Sequence, residues 1–90
     1  RRLVGFRLPA GAPLPAEASL TLEGEEIVGR VTSVAHSRAV GAIIGLAYVA
    51  PGMAAPGSRI TIKLAGGGGR LQAEVVPLPF YDPDNARQQL

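Results

Sequence analysis

Residues 29–49, GRVTSVAHSRAVGAIIGLAYV, constrain the fold of this chain more than any other stretch. Two apolar arms meet at a polar elbow. Ile27 to Val34 is rich in β-branched residues, and Ala42 to Val49 is apolar throughout apart from the hydroxyl of Tyr48. The elbow between them is Ala35-His36-Ser37-Arg38. In a strand, Ala42, Ile44, Leu46 and Tyr48 share one face, and Ile43, Gly45, Ala47 and Val49 share the other. Both faces are apolar, the pattern of a strand covered on both sides in the middle of a small closed β structure. A short buried helix would give a similar run. The Pro51-Gly52 stop and the β-branched content favour the strand.

Ninety residues allow one domain, spanning 1–90, with a core near the lower limit of self-sufficiency. The 47% hydrophobic content argues against disorder. With only two Phe, two Tyr and no Trp, that core has to be built from Val, Ile, Leu and Ala. The chain has no cysteine, which removes disulfides, thiolate metal sites and cysteine nucleophiles and fits a reducing, cytoplasmic setting. No apolar run is long enough to span a bilayer, so no membrane partner is expected. The net charge of +2 is spread over scattered arginines without a basic stripe or stacking aromatics, so no nucleic-acid partner is expected. Arg1-Arg2 stands where Met would open a complete chain, and the sequence reads as a piece of a longer protein.

Period-two alternation predicts six strands, near 2–8, 18–23, 26–35, 41–50, 58–65 and 70–77. The clearest runs from Arg59 to Leu64, with Ile60, Ile62 and Leu64 inward and Arg59, Thr61 and Lys63 outward. Phe6, Leu20, Leu22, Val31, Ile44, Leu46, Ile60, Ile62, Leu71 and Val75 are the expected core. Glu23-Gly24-Glu25-Glu26 reads as a hairpin tip in which Gly24 takes a positive φ. It has too few oxygen ligands in fixed order for a calcium loop. Gly66 to Gly69 reads as a flexible glycine hairpin tip. It lacks the Lys-Ser/Thr pair and the following helix of a phosphate loop. Strands at this spacing, with no internal repeat, predict an all-β fold: a small six-stranded, antiparallel, Greek-key-like barrel.

Catalytic constellations are sparse. His36 is the sole histidine and stands beside Ser37, near Ser33, with no carboxylate close in sequence to orient it. The plain reading is a loop histidine bonded to backbone or water. One histidine without cysteine does not make a metal site. A polar elbow held between two apolar arms is a loop on a rigid scaffold, where a ligand group can be met. Arg38 there offers a forked pair of donors to an anion such as a carboxylate. An ordinary solvated role for Arg38 stands beside this reading, with Arg30 and Tyr81 as the next candidates.

Three segments carry a resemblance: Leu3-Val4-Gly5-Phe6 at the start; Val28 to Ser33, His36-Ser37 and Gly41 through Val49 in the centre; and Pro79-Phe80-Tyr81-Asp82-Pro83 at the end. Together they resemble the C-terminal barrel domain of the aminomethyltransferase family, the glycine-cleavage T-protein and its relatives in sarcosine oxidase and dimethylglycine dehydrogenase. The terminal Phe-Tyr-Asp-Pro is closest to the sarcosine-oxidase-like branch. Ser37-Arg38 departs from the family pattern, in which proline commonly follows the serine, and this implies a less rigid elbow.

The resemblance implies a C-terminal module of a tetrahydrofolate-dependent one-carbon transfer protein. The catalytic acid and most folate contacts would belong to preceding domains of the same chain, with a lipoyl carrier protein or a flavin subunit as further partners. By itself the module would be neither an enzyme nor a holder of cofactor. His36, Ser37, Arg38 and Tyr81 are the residues it would turn towards the folate. Two other readings are a generic binding barrel like the second domain of translational GTPases, which needs a P-loop domain upstream, and a folate-binding regulatory relative without transferase activity.

Overall fold

The computed structural model describes residues 1–77; the expectations for Phe80 to Pro83 and for the tail lie outside those residues. Six strands form: β1 (Arg2–Pro9), β2 (Leu20–Glu23), β3 (Glu26–Ser37), β4 (Ala42–Val49), β5 (Arg59–Lys63) and β6 (Arg70–Val76). They close into a barrel in the order β1-β4-β3-β2-β5-β6, with every neighbouring pair antiparallel. β2, β3 and β4 follow one another as a meander and β1 returns beside β4, a Greek-key order. The β5–β6 hairpin fills the remaining gap between β2 and β1 and leaves no open sheet edge. Ala42–Val49 is a strand, not a helix. The described residues contain no α-helix, only short 3-10 turns at Pro51–Met53 and Ala65–Gly67, and none of their helices is long and apolar enough to cross a membrane.

The core follows from closure. Val4, Phe6 and Leu8 of β1, Val31 of β3, Ile43, Ala47 and Val49 of β4, Ile60 and Ile62 of β5, and Ala73 and Val75 of β6 form one buried cluster. Met53 of the β4–β5 connection packs against it, as expected of a gap-filling thioether.

Four of the expected core residues stand differently. Ile44 and Leu46 are half-buried on the outer face, and the interior takes the other phase of β4. The bore of the barrel explains the choice. Phe6 pairs with Gly45, and a Cβ on Gly45 would overlap both the Phe6 ring and the Ser33 carbonyl. A narrow barrel filled by one phenyl ring has room for glycine and alanine along that stretch of β4, not for Ile44, Leu46 and Tyr48. Leu20 is also half-buried. Thr21, paired with Ile62 and Gly29, is the β2 residue that takes the inward position. Leu71 packs at the edge of the cluster. Leu22 is buried as expected, yet outside the cluster, because it pairs with Thr61 on the face opposite Ile60 and Ile62.

β3 is the longest strand, 12 residues against 4 in β2 and 8 in β4. It serves both neighbours by bulging twice, at Val28 against β2 and at Thr32 against β4. Each extra residue bends the strand and sharpens its twist, which lets it wrap the barrel. Between the bulges lies Gly29, where a Cβ would meet the Tyr48 carbonyl and the Thr21 hydroxyl. The missing side chain lets the fully buried Thr21 reach across β3 and donate to the Tyr48 carbonyl at 2.6 Å.

Candidate functional site

The polar segment between the two apolar arms is the rim where β3 turns into β4. The ladder runs further than the side-chain pattern predicts: Ala35 pairs with Ile44, His36 with Ile43 and Ser37 with Ala42. Three of the four elbow residues are therefore strand, and the turn itself is Arg38 to Gly41. β4 supplies backbone partners as far as Ala42, and pairing at a barrel rim needs no apolar side chain.

Local chemistry closes this turn. The Gly41 N–H donates to the Ser37 carbonyl at 2.8 Å, and the Val40 N–H donates to Ser37 Oγ at 3.2 Å. Gly41 adopts a φ of +72°, open to glycine without the Cβ penalty. Ser37 thus spends an acceptor position on holding the turn, as serine does in such turns.

His36 and Arg38 are exposed, and Val40 between them and Gly41 is exposed as well. Residues 33–44 include no Asp or Glu, so nothing within the hairpin orients the imidazole or neutralises the guanidinium. Imidazole, hydroxyl and guanidinium stand at three consecutive positions, a donor-rich rim suited to an anionic or carbonyl-bearing group. Among the described residues no three His, Cys, Asp or Glu side chains come together to hold a metal ion. Tyr81, the fourth candidate, lies outside the described residues.

Among the open hollows that border the barrel elsewhere, two hold several polar side chains. One is lined by Arg7, Arg59, Gln72 and Glu74. The other is lined by Arg1, Leu20, Ile27, Gly29, Arg30 and Tyr48, where the Arg1 guanidinium lies 5.7 Å from the centre of the Tyr48 ring. The Arg1–Tyr48 pairing was not visible in the sequence, since it arises only from the β1–β4 register that sets Leu3 opposite Tyr48.

The strongest electrostatic contact is at the other end of β3. Arg70 donates from both terminal nitrogens to Glu25, at 2.9 and 3.1 Å, and pins the acidic β2–β3 tip to the start of β6. The hydrogen bonds and charge of Arg70 hold the Glu25 carboxyl below the usual carboxylate range. This contact belongs to the scaffold and not to the rim.

Comparison with known proteins gives a consistent answer. Residues 1–82 match the family model described as the glycine cleavage T-protein C-terminal barrel domain. The chain is 40% identical over 82 residues to an aminomethyltransferase of Streptomyces coelicolor, covering 90% of this chain and 21% of that protein. It is 36% identical over 83 residues to a probable aminomethyltransferase of Thermococcus gammatolerans, covering 92% and 20%. Among solved structures, the glycine cleavage system aminomethyltransferase T of Bartonella henselae superposes with a TM-score of 0.69 over 88% of this chain and 21% of that one. At 22% identity that likeness speaks for the fold. The chain spans about a fifth of the length of the curated relatives it matches. A generic barrel of the translational-GTPase kind is not favoured by these matches. The chain belongs to the family of glycine cleavage T-protein C-terminal barrel domains.

Proposed function

We propose that residues 1–90 act as the C-terminal barrel module of a longer, cytoplasmic, tetrahydrofolate-dependent aminomethyl transfer protein. In this reading the barrel is a rigid wall, and the chemistry is done by preceding domains of the same polypeptide. The observation that carries it is the coincidence of the family match, residues 1–82, with a closed barrel that has its own core. A lipoyl carrier protein or a flavin subunit would be a further partner of the longer protein.

The residues present fit one part of tetrahydrofolate. The molecule ends in carboxylates, and exposed Arg38, beside the Ser37 hydroxyl and the His36 ring, offers donors to such a group. The flat pterin ring needs an enclosed apolar slot, and the hollows described along the barrel wall are open surface. Arg38 would thus hold the tail from the barrel rim, with His36, Ser37 and Tyr81 as the further candidates, while the ring sits in the preceding domains.

Titration of tetrahydrofolate into the longer polypeptide tests this. Replacing Arg38 with Ala is expected to weaken affinity about tenfold, equivalent to about 1.4 kcal/mol. Unchanged affinity in a folded variant would leave Arg38 as a surface charge and return attention to Arg30 and Tyr81.

A further inference from the structure

Arg7, Glu74 and Arg59 form one row across three neighbouring strands. Glu74 of β6 pairs with Arg7 of β1 on one side and with Arg59 of β5 on the other. Residues directly opposite each other point to the same face of a sheet, and all three are exposed on the outer wall. They line an open hollow of about 580 Å³. Leu8 and Ala73 line it too, and their side chains are packed in the core, so there the hollow meets backbone.

Charge does not balance along this row, since two guanidiniums stand for one carboxylate. Adjacent strands lie about 5 Å apart, so Glu74 is within reach of both long arginine side chains. Among the described residues the ion pair that forms joins Arg70 to Glu25, and neither Arg7 nor Arg59 closes on Glu74. Gln72, on the same outer face, also lines the hollow. Its side-chain amide nitrogen donates to Thr61 Oγ1 at 2.8 Å, which leaves its side-chain carbonyl oxygen as an acceptor. The hollow thus holds two forked donors with two acceptors beside them. A bare anion would meet both forks but be repelled by Glu74, and a bare cation would meet Glu74 but be repelled by both arginines. A group with both charges on neighbouring atoms suits every member.

We propose that this hollow binds a free α-amino acid. Its carboxylate takes the forks of Arg7 and Arg59, and its ammonium takes Glu74 and the Gln72 carbonyl oxygen. A peptide does not offer this pair, because its two charged ends lie apart. The residues stand on paired strands, which fix their spacing better than a loop does. The hollow is open, so the ligand's own side chain stays in water and is not read. Few contacts on an exposed wall give an affinity in the millimolar range that weakens with salt.

NMR titration of the 90-residue chain at low ionic strength tests this, with L-alanine, N-acetyl-L-alanine, L-alaninamide and inorganic phosphate as probes. L-alanine is expected to give saturable shifts at Arg7, Arg59, Gln72 and Glu74. N-acetyl-L-alanine lacks the ammonium and L-alaninamide the carboxylate, and each is expected to bind about tenfold more weakly. Arg59→Ala is expected to weaken L-alanine to the same degree. Glu74→Gln is expected to abolish the preference for L-alanine over N-acetyl-L-alanine. Both positions are exposed, so neither substitution touches the core. Absence of saturable shifts with L-alanine would overturn the proposal. So would equal binding of L-alanine and N-acetyl-L-alanine, or a preference that survives Glu74→Gln. Tighter binding of phosphate than of L-alanine would overturn it as well and make the hollow a plain anion site.

Discussion

Gly45 is where one side chain decides the packing of the whole barrel. The Phe6 ring occupies the space its side chain would take, so the pair works as one large residue and one absent one. Adding a methyl forces either the ring or the β3 backbone at Ser33 to move. Gly45→Ala is expected to destabilise by about 3 kcal/mol, at the upper end for overpacking. Chemical denaturation measures it, and a loss below about 1 kcal/mol would mean that the ring has room to yield. Ala18 is the converse case. It holds a φ of +73° and is exposed, so its methyl costs conformational strain and packs little. Ala18→Gly is expected to stabilise by up to about 1 kcal/mol, since left-handed backbone penalises any Cβ. A lower unfolding midpoint in the variant would show that the turn needs alanine for another reason.

At the scale of elements, β5 is the strand most legible in the sequence. Its alternation leaves one face for the core, and Ile60 and Ile62 are fully buried. Ile62→Ala is expected to cost about 2–5 kcal/mol by cavity formation. β4 is harder to read because both of its faces are apolar, so alternation cannot choose the inward phase. The choice is made by the register with β1, which lies far away in sequence, and by the width of the bore. The end of β3 was hidden for a related reason: His36 and Ser37 look like loop residues, and only the backbone of β4 shows that they pair. The candidate rim itself was legible as a polar break between two apolar arms, but its ligand was not, because no partner group for Arg38 is supplied within the hairpin.

The β2–β3 tip adds a pH dependence at the same scale. Glu25 has its pKa depressed by Arg70, so this contact is present above the ordinary carboxylate pKa and is lost as pH falls through the lowered folded value. Both side chains are well exposed, and the contribution to stability is small. NMR titration is expected to place the Glu25 midpoint below the ordinary carboxylate range and to return it there in Arg70→Ala. An unshifted midpoint in the unmodified chain would show that the pair does not persist in solution.

For the whole molecule, the described residues close a barrel around a core of their own. Closure satisfies every strand, and a compact aliphatic core fills the bore. In the proposed reading, function depends on what the β3–β4 rim meets in a longer protein. The most direct test is calorimetric titration of tetrahydrofolate into the folded 90-residue chain. No saturable binding in the micromolar range is expected, because the rim offers donors for the carboxylate tail and the hollows along the described barrel wall are open. Micromolar affinity for these 90 residues alone would contradict it and make the barrel a folate site in its own right.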